Sequence, residues 1–280
     1  MHRFPSPRRA RAPFVLLTTA GAAAALLATA VAPATADKGA PASGGKPTVV
    51  LVHGAFADSS SWNDVIKRLR KDGYPVVAVA NPLRGLSTDA AYVRQLVDGV
   101  EGPVVLVGHS YGGSVISNAA RGAANVEALV YVAAYIPEKG ETAAELTAKF
   151  PGSTLGDALR SVPVTLPDGS QGEDLYIQPA KFRGQFAADV PRNTTDLMAV
   201  TQRPVAGAAL EEKAGDPAWK TIPSWAVVAT EDRNIPAQAQ RFMAARARAH
   251  TVELRASHAV GVSRPGEVAA VVERAAREAG

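Results

Sequence analysis

Ser110 stands at the centre of Gly108-His109-Ser110-Tyr111-Gly112, directly after the apolar run Pro103-Val104-Val105-Leu106-Val107 and before the small-residue stretch Gly113-Ser114-Val115-Ile116. A Gly-x-Ser-x-Gly turn between a buried strand and a helix holds its serine in a strained backbone conformation, and the hydroxyl is pushed out into a cleft. The chain two residues before and two after such a serine comes so close that glycine is needed at both places. Gly108 and Gly112 meet that demand. A serine hydroxyl is a weak nucleophile at neutral pH, so this turn calls for an imidazole to accept its proton and a carboxylate to orient that imidazole.

Beyond the first 36 residues, the histidines are His53, His109, His250 and His258. His53 belongs to a strand-end His-Gly pair, His109 is built into the serine turn, and His250 falls at a helix end. His258, in Ala256-Ser257-His258-Ala259, lies between the last strand and the last helix, in a loop that can return over the carboxyl end of a parallel sheet. It is the expected base. The carboxylate is expected from Thr230-Glu231-Asp232-Arg233-Asn234, again at a strand's carboxyl end. Asp232 is favoured over its neighbour Glu231 because it is the shorter acid and sits one residue further into the turn; Glu231 remains the rival. Acyl chemistry also needs two backbone N–H groups for the developing oxyanion. Tyr111, after the serine, supplies one and Ala55, after the first strand, the other; Phe56 either replaces Ala55 as donor or lines the acyl pocket.

These side chains must be delivered by strand ends. Thr48-Val49-Val50-Leu51-Val52 is β-branched without polar alternation, as expected for a strand covered on both faces. Trp62, Val65, Ile66 and Leu69 repeat at helical spacing from near Ser60 to Gly73. Residues 75–80 read as a second strand, Val93 to Val100 as helix, 126–134 and 225–229 as further strands. A helix over 237–248, a strand over 251–254 and a helix from Arg264 complete the alternation, which predicts a mostly parallel sheet flanked by helices. The alternation breaks over about 136–222. That is too long for a loop, so a helical cap is expected there, with helices near 143–150 and 194–201 and a short hairpin near 163–171.

Composition sets the limits. Arg3, Arg8, Arg9 and Arg11, the uncharged run Phe14 to Val31 and the small-x-small Ala34-Thr35-Ala36 read as an export signal over 1–36. Residues 37–47 read as a flexible linker and 48–280 as one catalytic domain. Those four arginines account for the whole formal net charge of +4. Residues 37–280 are therefore balanced in charge, which argues against a nucleic-acid partner, and with the leader cleaved no stable membrane association is expected. Cysteine is absent, so thiolate catalysis, disulfides and cysteine metal sites are excluded. The histidines lack paired helical spacing, so no metal is expected, and the glycines of the serine turn lack the pattern that cradles a pyrophosphate.

Val52-His53-Gly54-Ala55-Phe56, Asn81-Pro82-Leu83, Val107 to Gly113, Thr230 to Pro236 and Ser257-His258-Ala259-Val260 together resemble the bacterial α/β-hydrolases related to plant methyl-ester hydrolases and hydroxynitrile lyases. The resemblance implies an α/β-hydrolase fold and a cofactor-free Ser-His-Asp hydrolase acting on small esters, with the roles carried by Ser110, Asp232 and His258. In the lyase branch a lysine follows the catalytic histidine. Here Ala259 follows His258, which favours hydrolysis. The substrate is expected to be a small-molecule ester, with Phe56 and Leu83 at its pocket, while other cap aromatics are expected to pack. A lactonase or haloperoxidase-like activity on the same groups, and a non-catalytic ligand-binding protein on the same fold, are the alternatives.

Overall fold

The computed structural model describes residues 45–279; the segment expected to be an export signal and most of the expected 37–47 linker lie outside them. The chain opens with β1 (Thr48–Val52), a 3₁₀ turn at Ser59–Trp62 and α1 (Asn63–Lys71). Asp58 caps the turn by accepting the Ser60 N–H at 2.7 Å. Next come β2 (Val76–Val79), α2 (Leu86–Asp98), β3 (Val104–His109), α3 (Tyr111–Ala119) and β4 (Val126–Val132). After a long excursion the sheet resumes with β8 (Ser224–Ala229), α9 (Ala237–Arg246), β9 (His250–Leu254), α10 (Val260–Ser263) and α11 (Pro265–Glu278).

These strands form a six-stranded sheet in the order β2-β1-β3-β4-β8-β9. Every pairing in it is parallel. The absence of polar alternation follows from two buried faces. Val50, Val52 and Leu106 face α2, α3 and α9, whereas Val49, Leu51, Val105 and Val107 face α1 and α11. The chain leaves β1 for β2 on one side and returns to β3 on the other, so the carboxyl ends of β1 and β3 diverge in their connections and open a crevice between them. Val52 lies opposite Gly108 in that register, which sets residues 53–56 beside the serine turn.

The excursion corrects one expectation. It holds α4 (Ala143–Ala148), α5 (Leu155–Ala158), α6 (Pro179–Phe186), α7 (Arg192–Thr201) and α8 (Gly207–Glu211), but also β5 (Leu159–Thr165), β6 (Gln171–Ile177) and β7 (Val205–Ala206). The last three make an antiparallel sheet, so the cap is mixed rather than helical, and its hairpin is longer than the 163–171 expected. The physical reason is exposure. β5 has no fully buried residue and carries Pro163, so the apolar periodicity that marks a covered strand is missing from it.

Candidate active site

The serine turn is shaped by contact. Ser110 has φ 54° and ψ −124°, a combination that costs about 1 to 3 kcal/mol for a non-glycine residue and persists only where its surroundings enforce it. They do so here by close approach: a Cβ on Gly108 would lie 2.5 Å from the Gly112 carbonyl oxygen, and one on Gly112 2.5 Å from the Val52 carbonyl oxygen. The serine is thereby held between β3 and α3, with its carbonyl accepting the Tyr135 N–H at 3.1 Å.

The structure brings Ser110, His258 and Asp232 together. His258 Nε2 lies 2.8 Å from Ser110 Oγ and His258 Nδ1 lies 2.6 Å from Asp232 Oδ2. Because a carboxylate can only accept, the ring proton belongs on Nδ1, and Nε2 is free to accept the serine proton. Asp232 Oδ1 accepts the Asn234 and Ile235 N–H groups at 2.7 and 3.0 Å. Its rival Glu231 points elsewhere and pairs with Arg255 at 2.6 Å. The N–H groups of Ala55 and Tyr111 have no acceptor among the described residues, and Tyr111 opens α3, where the helix dipole adds positive potential. The Phe56 N–H, by contrast, donates to the Arg203 carbonyl at 3.0 Å, which leaves Ala55 as the candidate donor on that side.

Two further histidines hold the site in place. His53 Nε2 accepts the Asn81 N–H at 3.1 Å, so its proton is on Nδ1 and donates to the Gly54 carbonyl at 2.9 Å. This ties the loop after β1 to the loop after β2. His109 Nε2 donates to the His258 carbonyl at 2.9 Å, and its ring lies 4.7 Å from that of His258 between centroids. The cap contributes as well. Phe186 sets its ring edge against His258, its carbonyl accepts the Ala259 N–H at 2.9 Å, and Ser257 Oγ donates to Asp189. Sequence reasoning missed these supports, and also missed Gln240, which contacts Asp232. Only the His-Gly pair and the histidine inside the turn left a local signal.

Burial keeps both supporting imidazoles neutral: it pushes His109 down to about 3 and lowers His53 from 6.5. As pH falls below about 6.5 the unfolded chain takes up protons at these positions while the folded chain refuses them, so the stability present above 6.5 is lost progressively toward pH 3. The urea midpoint is therefore expected to drop between pH 7 and 5, and H109Q to flatten that slope. A slope equal in the wild type and H109Q contradicts this account.

Phe56 and Leu83 are both buried with positive φ, 62° and 61°. Phe56 borders a cleft of about 450 Å³ between the 3₁₀ turn and α7, whereas Leu83 lies in the core with its carbonyl accepting the Ala206 N–H. A larger cavity of about 580 Å³ runs from Tyr135 past Phe150 to α8. Phe182 and Phe186 stack on each other at 5.1 Å.

The model of the alpha/beta hydrolase family matches residues 49–271, which include every residue of this site. The chain belongs to the alpha/beta hydrolase family. This hydrolase is 35% identical over 113 residues to a carbendazim hydrolyzing esterase from Nocardioides sp. (strain SG-4G), a match spanning 36% of this chain and 47% of that protein. Its fold superposes on polyneuridine aldehyde esterase with a TM-score of 0.70 at 18% identity, covering 82% of this chain and 98% of the other. A methylesterase from Arabidopsis superposes with a TM-score of 0.68 at 18% identity, covering 82% and 99%.

Proposed function

We propose that this alpha/beta hydrolase is an exported serine esterase that cleaves small carboxylic esters through an acyl-enzyme. The carrying observation is the unbroken path from Ser110 Oγ through His258 Nε2 and Nδ1 to Asp232 Oδ2, with contacts of 2.8 and 2.6 Å. His258 takes the Ser110 proton as Oγ bonds to the ester carbonyl carbon, and the oxyanion is held by the Ala55 and Tyr111 N–H groups. Asp232 stabilises the imidazolium. His258 then protonates the departing alcohol oxygen as its bond to carbon breaks, and a water deprotonated by His258 releases the acid and restores Ser110.

The esterase and methylesterase names of the related proteins support an ester as substrate. Ala259 after His258, where the lyase branch has lysine, supports hydrolysis over cyanohydrin cleavage. The basic leader and the Ala34-Thr35-Ala36 pattern support export. A fluorophosphonate probe is expected to label Ser110, and p-nitrophenyl acetate and butyrate, methyl esters and a γ-lactone give the substrate range. A protein that neither takes the label at Ser110 nor turns over any of these is a hydrolase-like binder, and the proposal falls.

A further inference from the structure

Gln240 lies in the first turn of α9, buried at 3% exposure. Its amide has a determined orientation. The Ala229 N–H, a donor, faces Oε1 at 3.0 Å, and the Ile235 carbonyl, an acceptor, faces Nε2 at 2.8 Å. With oxygen and nitrogen assigned by main-chain groups of opposite kind, it is an N–H that meets Asp232 Oδ2, at 2.8 Å. That oxygen also receives the His258 Nδ1–H. Two donors therefore share Oδ2, two main-chain N–H groups share Oδ1, and the carboxylate has no freedom to turn.

We propose that Gln240 is a positioning residue for the reaction: its Nε2–H selects the lone pair that Asp232 Oδ2 presents to His258 and moderates how strongly that oxygen holds the imidazole proton. The inference rests on the Ser110-His258-Asp232 hydrolase proposed for this site. A donor on Oδ2 withdraws charge from it. Removing that donor leaves a stronger acceptor beside Nδ1, which favours the imidazolium and displaces protonation of His258 to higher pH. It also frees the carboxylate to rotate, which lowers turnover without touching substrate contacts.

Other titratable groups lie around His258 and Asp232 and are unchanged by a Gln240 substitution. His109 approaches from the end of β3 and is kept neutral by burial. Asp189 approaches from the segment between α6 and α7 through Ser257, and Tyr135 lies beyond β4, pushed up to about 12 by burial. Glu231 is turned out onto Arg255 and the Arg233 guanidinium onto the Gly184 carbonyl.

The test compares Q240M, which keeps the length of the side chain, and Q240L with Q185L. The control loosens the same acid loop, because Gln185 donates to the Arg233 carbonyl and Asn234 Oδ1, but it leaves Asp232 alone. In Q240M or Q240L, kcat is expected to fall about tenfold with KM within about twofold, and the acid limb of kcat/KM to move up by about half a pH unit. Titration of the His258 Cε1–H by NMR moves by the same amount and needs no turnover. Q185L lowers the melting temperature and leaves both titrations where they were. Should the limb and the NMR titration stay at their wild-type positions in the folded Gln240 variants, or move equally in Q185L, Gln240 is structural only and the inference is overturned. Failure of the hydrolase reading shows separately, as wild-type protein without esterase turnover or labelling at Ser110, while the NMR titration still reports whether Gln240 governs His258.

Discussion

S110A is expected to lower ester turnover by about a millionfold, to the residual rate that the proposed oxyanion donors and substrate binding sustain without a nucleophile. The size of the effect reflects the division of labour. In the proposed reaction Ser110 Oγ is the atom that bonds to the acyl carbon, and its neighbours are otherwise placed: His109 is spent on the His258 carbonyl, and Ser114, also buried, lies one turn further along α3. Folding is expected to change little, since alanine keeps the Cβ and Oγ hydrogen-bonds only to His258 Nε2 among the described residues. The measurement is kcat on p-nitrophenyl acetate together with the melting temperature by calorimetry. Wild-type turnover in a folded S110A protein removes the nucleophile assignment.

The second large effect is expected from D232N, about a ten-thousandfold loss of kcat, because the substitution reverses the hydrogen-bond polarity at one atom. Asn234 and Ile235 present N–H groups to Oδ1, which forces the asparagine oxygen to that side. The amide nitrogen then occupies the place of Oδ2, where it meets two further donors, Gln240 Nε2–H and His258 Nδ1–H. His258 relieves the clash by moving its proton to Nε2. That nitrogen then faces Ser110 Oγ as a donor and no longer serves as a base. The unpaired donor at Gln240 is buried, so the melting temperature falls too. A loss of kcat below tenfold in the folded variant would show that Asp232 does not control the tautomer.

The sheet strands were legible because burial on both faces leaves long apolar runs, as in Val49 to Val52, and helices such as α1 because Val65 and Leu69 repeat at its own period. The cap sheet was poorly legible for the opposite reason. β5 is partly or fully exposed throughout, so exposure erases the pattern that reveals a strand. Ser110 was legible because its turn needs glycines at fixed offsets, a demand of local geometry. His258 emerged by elimination among few histidines and from its place at a strand end.

Local chemistry in the amino-acid order was therefore sufficient for the parallel sheet, the serine turn and the loops that carry Asp232 and His258, since each depends on neighbours in the chain. Long-range contacts decided the remainder. Asp232 rather than Glu231 meets His258, Ala55 rather than Phe56 keeps an N–H without an acceptor among the described residues, and Gln240 shares the carboxylate oxygen with the imidazole. Each of those outcomes is a hydrogen bond whose two partners are brought together by the packing of separate elements. A donor or acceptor carries no mark in the sequence of which distant partner will satisfy it.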